Sequence, residues 1–144
     1  MATKSIRELM GERPVHSVAP DTTLREVARL MAEHRVGAVV VMDQDALVGI
    51  VSERDIVFRG VGQGLASDTA TAADVMTPDP VTVSMDDAIS DALAVKLGNK
   101  FRHLPVMDAG RIAGVLSYRE IPAEYIMLFE RFREMSTAHA DDDI

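Results

Sequence analysis

The chain has 144 residues, 47% of them hydrophobic, with no cysteine, no tryptophan and a formal net charge of −8. That length fits one domain or two small halves sharing a core, and the missing cysteines exclude a disulfide framework, a thiolate zinc site, an iron–sulfur cluster and a cysteine nucleophile. Fifteen basic against 23 acidic residues argue against general nucleic-acid binding, which needs clustered Lys and Arg, and no run nears the ~18 apolar residues of a membrane span.

Met1 to Met10 carries Lys4, Arg7 and Glu8 and lacks the apolar stretch of a signal peptide, so the expectation is a soluble, cytoplasmic protein. Short strands are expected at Val15–Val18 and again at Val81–Val83. Leu24, Val27, Ala28, Leu30 and Met31 recur at helical spacing, with Asp21 or Thr22 able to cap the start. Val36 to Met42 and Leu47 to Val51 are apolar runs separated by Asp43-Gln44-Asp45, and apolar runs without clean alternation read as strands buried on both faces. A helix starts near Ser52. Gly60 to Asp74 is rich in Gly, Ala, Ser and Thr and reads as a flexible linker. Ile89, Ala92, Leu93 and Leu97 then mark a helix stopped at Gly98-Asn99. Phe101 to Met107 turns through Asp108-Ala109-Gly110 into Ile112 to Leu116, a hairpin signal. After Pro122 a last amphipathic helix runs to about Met135.

The second half repeats the first. Sliding the chain by 65 residues aligns Val18–Ile56 with Val83–Ile121 without a gap, and nine of the 39 positions are identical: Val18, Asp21, Val41, Met42, Asp43, Gly49, Ser52, Arg54 and Ile56. A period this long is not a solenoid unit. It indicates two pseudo-symmetric small repeats, each strand–helix–strand–strand–helix, an α/β (α+β) arrangement packed through its sheets. The divisions expected are residues 1–60 for repeat one with the N-terminal segment, 61–74 for the linker, 75–135 for repeat two with the C-terminal helix, and 136–144 for an acidic flexible tail.

Leu9-Met10 and Val75-Met76-Thr77-Pro78 open the two halves, Arg102-His103-Leu104-Pro105-Val106 lies on a strand of the second, and Gly49-x-x-Ser52-x-x-Asp55 recurs as Gly114-x-x-Ser117-x-x-Glu120. In these marks, their order and their duplication, the chain resembles a tandem cystathionine β-synthase (CBS) domain pair, or Bateman module, over roughly Ile6 to Met135. The resemblance implies a stand-alone regulatory module rather than an enzyme. It would bind an adenosine-containing ligand (AMP, another adenine nucleotide, NAD or S-adenosylmethionine) between the halves, form a homodimer and act on an effector protein elsewhere. By the same resemblance Asp55 takes the ribose hydroxyls with Ser52 beside it, Val18, Val36, Val39 and Ile50 are candidates for the adenine pocket, and Arg54, Arg102, His103 and Arg119 for the phosphates. A carboxylate suits vicinal hydroxyls, and free backbone N–H groups at a helix start suit a phosphate. The acidic balance of the chain favours a lightly charged ligand, AMP or a dinucleotide, over ATP.

Each of these residues also has a plainer use. Ser52-x-x-Asp55 and Ser117-x-x-Glu120 are capping patterns in their own right. In the second copy Glu replaces Asp and Pro122 follows, where a continuous helix would clash with the Tyr118 carbonyl. The expectation is an irregular turn, a helix restarting at Pro122, Glu120 swung away from the ribose position, and so a second site, Ser117 with Glu120, that is altered or degraded. That feature also supports a different reading, a structural or scaffolding dimer with vestigial nucleotide sites. His16, His34, His103 and His139 show no metal-ligand spacing, and His34 reads as a helix C-terminal dipole partner. No metal, catalytic cofactor or catalytic residue is assigned. Tyr125, Phe129 and Phe132 form a stripe on the last helix, read as a dimer helix or as a cap on the chain's own core.

Overall fold

The structure, a computed structural model, describes residues 4–94 and 101–142, with side chains beyond Arg131 only at Glu134. Leu97 and the Gly98-Asn99 stop lie outside the described residues, as do the side chains of Phe132 and His139.

The first sheet holds β1 (Ser17–Val18), β2 (Ala38–Asp43), β3 (Ala46–Ser52) and β4 (Thr77–Pro78) in that order, with β1 parallel to β2 and the other pairs antiparallel. The second holds β5 (Val83–Ser84), β6 (His103–Asp108) and β7 (Arg111–Ser117). The 65-residue offset survives in the ladders residue for residue. Ala38 faces Ser52 as His103 faces Ser117, Val41 faces Gly49 as Val106 faces Gly114, and the register slips at Val41/Met42 and again at Val106/Met107. The β6–β7 turn places Ala109 at φ 51° and Gly110 at φ 80°, the two left-handed positions of a tight hairpin.

Helix α1 (Ile6–Met10) precedes β1, and α2 (Leu24–His34) connects β1 to β2. Thr23, rather than Asp21 or Thr22, caps α2 by accepting from the Glu26 N–H at 3.2 Å, while Thr22 accepts from the Ala19 N–H. A short turn, α3 (Glu53–Asp55), runs on through a π turn at Ile56–Gly60 and a 3-10 turn at Val61–Gln63. Helix α4 (Ala72–Val75) comes before β4, α5 (Ile89–Ala94) after β5, and α6 (Ala123–Asp142) closes the chain, running past Met135 because nothing from Ser136 to Asp142 breaks a helix.

Two cores result, and the chain crosses between them. Ile6 and Met10 of α1 are buried with Val83, Ile89, Leu104 and Leu116 of the second repeat, not of the first. Ala72 and Val75 of α4 are buried with Leu24, Val27, Val39 and Val51 of the first. The backbone repeats the exchange. The Ile6 N–H donates to Asp87 O and that of Ile89 to Lys4 O, just as Ala72 donates to Thr22 O and Leu24 to Ala70 O. The segment read as a flexible linker is therefore structural in part. Ala70 and Gly60 are buried, and a Cβ on Gly60 would lie 2.9 Å from Leu24 Cδ2. Small residues here serve close packing.

Candidate functional site

Between the repeats, where β2 approaches β7, lies a cleft of about 1220 Å³. The first repeat lines it with the segment before β1, one face of α2, Val36–Ala38 and the start of α3. The second supplies Arg102, His103, Gly114, Val115 and the turn after β7.

Its charge is the reverse of the chain's. Among the described residues Arg13, Arg35, Arg54, Arg102 and Arg119 line it with Glu53 and Glu120, and no aspartate or lysine does. Arg13 pairs with Glu120. Arg35, Arg54, Arg102 and Arg119 make no ion pair among the described residues. Arg102 lies 6.0 Å over the Tyr118 ring, at the outer reach of a cation–π contact. The excess of acid resides elsewhere, so an anion in the cleft meets a local field opposite to the overall one.

Gly37 brings the repeats together. A Cβ there would sit 2.7 Å from Glu53 Oε1 and 3.0 Å from His103 Nε2, so the missing side chain lets an acid of one repeat and the imidazole of the other converge. Burial holds the His103 pKa below its ordinary value. Glu53 and Glu120 oppose that shift, and Arg119 and Arg102 add to it. Folding thus favours the neutral ring, and the unfolded chain takes up the proton first on acidification. Stability should fall as pH drops below about 6.5, the ordinary histidine value, toward the folded one. His103→Gln should make melting temperatures measured from about pH 7.5 to about pH 5.5 less pH-dependent; an unchanged slope would assign the pH dependence to other groups.

Of the residues expected at the site, Ser52, Arg54, Val36, Arg102, His103, Arg119, Ser117 and Glu120 all line the cleft. Asp55, Val18, Val39 and Ile50 do not. Val39 and Ile50 are buried in β2 and β3, and Val18 packs against the first core. Strands covered on both faces leave only Ala38, at its start, to line the cleft from β2. Asp55 is engaged in a cap. Its Oδ2 accepts from the Ser52 N–H at 2.9 Å and from Ser52 Oγ at 3.1 Å, Ser52 Oγ accepts from the Asp55 N–H, and 12% of its side chain is exposed.

The second copy keeps the same geometry. A 3-10 turn, Tyr118–Glu120, follows β7, Ile121 is extended, and α6 starts at Ala123 directly after Pro122. The irregular turn is present, but it does not swing Glu120 away: the Ser117 N–H donates to Glu120 Oε2 at 2.8 Å, the counterpart of the Ser52–Asp55 bond. A 3-10 turn closes its cap one residue earlier, through the Arg119 N–H to Ser117 Oγ, and so accommodates both the longer acid and the proline.

Sequence reasoning missed Arg13, Pro14, Val15, His16, Arg35, Gly37 and Glu53 as lining residues. Their signal was weak, since most precede β1 or end α2, outside any motif. His16 stacks on His34, ring centres 4.1 Å apart. Among the described residues no cluster of three or more His, Asp or Glu side chains suits a metal ion, and no helix is long and apolar enough to cross a membrane.

Tyr125 and Phe129 of the stripe on α6 face inward. Tyr125, Ile126 and Phe129 pack against the second core, and among the described side chains the large exposed apolar ones of α6 are Met127 and Leu128. Val57, Phe58 and Val61, in the turns after α3, are exposed as well.

The CBS domain model matches residues 6–62 and 72–123. An uncharacterized 17.7 kDa protein of Acidianus ambivalens is 37% identical over 123 residues, covering 84% of this chain and 72% of that protein. The plant relative CBSCBSPB2 of Arabidopsis thaliana is 35% identical over 120 residues, but the chain spans only 22% of its length. Among solved structures, the CBS domain protein PAE2072 of Pyrobaculum aerophilum, complexed with AMP, superposes with a TM-score of 0.76 at 30% identity, covering 89% of this chain and 99% of that one. CBSX2 in complex with AMP superposes with a TM-score of 0.66 at 27% identity, covering 81% and 92%. Two matched repeats, with hairpins of the same register and exchanged first helices, make the chain a member of the CBS domain family.

Proposed function

We propose that the chain is a regulatory module that binds an adenosine-containing ligand, AMP first among them, in the cleft between its repeats and passes the resulting change of angle to a partner protein. The observation that carries this reading is the cleft itself, with four arginines that make no ion pair among the described residues, in a chain of net charge −8. AMP held by two relatives of the same fold supports it. A ligand signals only through different affinities for two arrangements of the repeats, and a cleft lined from both sides offers that difference. No catalytic step is assigned to it. The exposed Val57, Phe58, Val61, Met127 and Leu128 suit a homodimer interface better than the inward Tyr125 and Phe129 do; a sedimenting mass of a single chain would count against it.

The scaffold reading has an observation of its own: both motif carboxylates are used as caps. A thermal-shift panel of AMP, ADP, ATP, NAD and S-adenosylmethionine separates the two. Ligand at roughly 100 times its Kd adds about 2.7 kcal/mol of stability, a shift of several degrees. A shift with AMP supports the module, and no shift with any member of the panel leaves the scaffold.

A further inference from the structure

The two repeats carry matched motif carboxylates whose outer oxygens meet different partners. Asp55 and Glu120 hold matched positions, each accepting from the backbone N–H of its serine, at 2.9 and 2.8 Å. Their second oxygens differ. Glu120 Oε1 takes the Nη1 of Arg13, with both side chains 30% exposed at the cleft wall. Asp55 Oδ1 meets only Arg59 Nε, at 3.8 Å, from its own helical turn. All three guanidinium nitrogens of Arg13 are engaged. Its Nε and Nη2 donate to Met10 O at 3.3 and 3.0 Å, and its stem lies on β7, where a Cβ on Gly114 would come 3.5 Å from Arg13 Cγ and Cδ.

The first half has no equivalent. Helices α1 and α4 correspond at an offset of 66, as the bonds Ile6 to Asp87 O and Ala72 to Thr22 O show. The counterpart of Arg13 is therefore Asp79, which bonds through its N–H to Val48 O at φ 46° and does not line the cleft. An acid cannot pair with Asp55.

We propose that Arg13 closes the second half of the cleft, so that each chain takes one nucleotide, in the half beside Ser52 and Arg54. The ion pair occupies Glu120 Oε1, the oxygen the cap leaves open, so a ribose entering there must first displace Arg13 Nη1, whereas Asp55 Oδ1 has only Arg59 Nε, at 3.8 Å. The inference rests on the nucleotide reading above and adds to it the residue that sets occupancy.

Calorimetric titration of the full chain with AMP tests it on the wild type, Arg13→Ala and Arg13→Gln, the last keeping a stem over Gly114 should the alanine variant fold poorly. One AMP per chain is expected for the wild type and two for either variant, with Glu120→Ala added to Arg13→Ala restoring one. Two per chain in the wild type, or one in both variants, would overturn the proposal. So would loss of the first site in the variants, which would make Arg13 a ligand contact instead. No binding by any of the proteins is a distinct result, which overturns the nucleotide reading and the proposal with it.

Discussion

Ile6→Ala should cost about 2–5 kcal/mol, the usual price of truncating a fully buried aliphatic side chain. Ile6 is completely buried. It packs with Val83, Ile89, Leu104 and Leu116, so the damage should fall on the second repeat. The backbone bonds from Ile6 to Asp87 O and from Arg7 to Met85 O, with the Arg7 pairs to Asp86 and Asp108, should keep α1 in place. That leaves an unfilled core rather than an undocked helix. Urea midpoints read the size of the loss, and amide exchange reads its place, with faster exchange across β5–β7 than across β1–β3. A loss under ~1 kcal/mol, or one concentrated in β1–β3, would contradict the crossed arrangement.

Arg54→Ala should weaken AMP binding roughly tenfold to a hundredfold, because a hydrogen bond to a charged group contributes about 1.5–3 kcal/mol. Arg54 lines the cleft, makes no ion pair and follows Ser52 by two residues. Its removal leaves no buried partner behind, so the melting temperature of the ligand-free chain should hardly move. Arg29→Ala is the control. Arg29 is exposed on α2, pairs with Glu26 at 3.7 Å and does not line the cleft, so it removes the same charge from the chain without touching the site. Equal weakening by both variants would mean that AMP senses net charge and not the cleft.

The repeat was plain in the sequence because hairpin registers depend on local pattern. Asp-x-Gly at the second turn, Gly49 and Gly114, and the shared Ser-x-x-acid caps each specify a position. The crossing of α1 and α4 was not, although Leu9-Met10 and Val75-Met76 stood out. An offset of 66 there against 65 elsewhere breaks the alignment just where the exchange occurs, and a short amphipathic helix does not say which core it covers. The small residues from Gly60 to Ala72 look like linker for the same reason: composition cannot tell room for packing from freedom to move. Tyr125 and Phe129 form a stripe in either orientation of α6, and only the position of the second core decides that they face it. At the site, the motif residues Ser52, Arg54, Arg102, His103 and Arg119 were legible. The Ser52–Asp55 cap was legible too, as a Ser-x-x-acid pattern, whereas the placement of Arg13 over Gly114 is a tertiary fact that no local pattern marks.

The most direct measurement is a crystal structure of the chain grown with AMP. Difference density for the nucleotide is predicted in the cleft between β2 and β7, with the phosphate beside Arg54 or the arginines facing it and the Arg13–Glu120 pair intact. Nucleotide density at any other place on the protein, or an empty cleft at AMP concentrations that shift the melting temperature, would contradict the account.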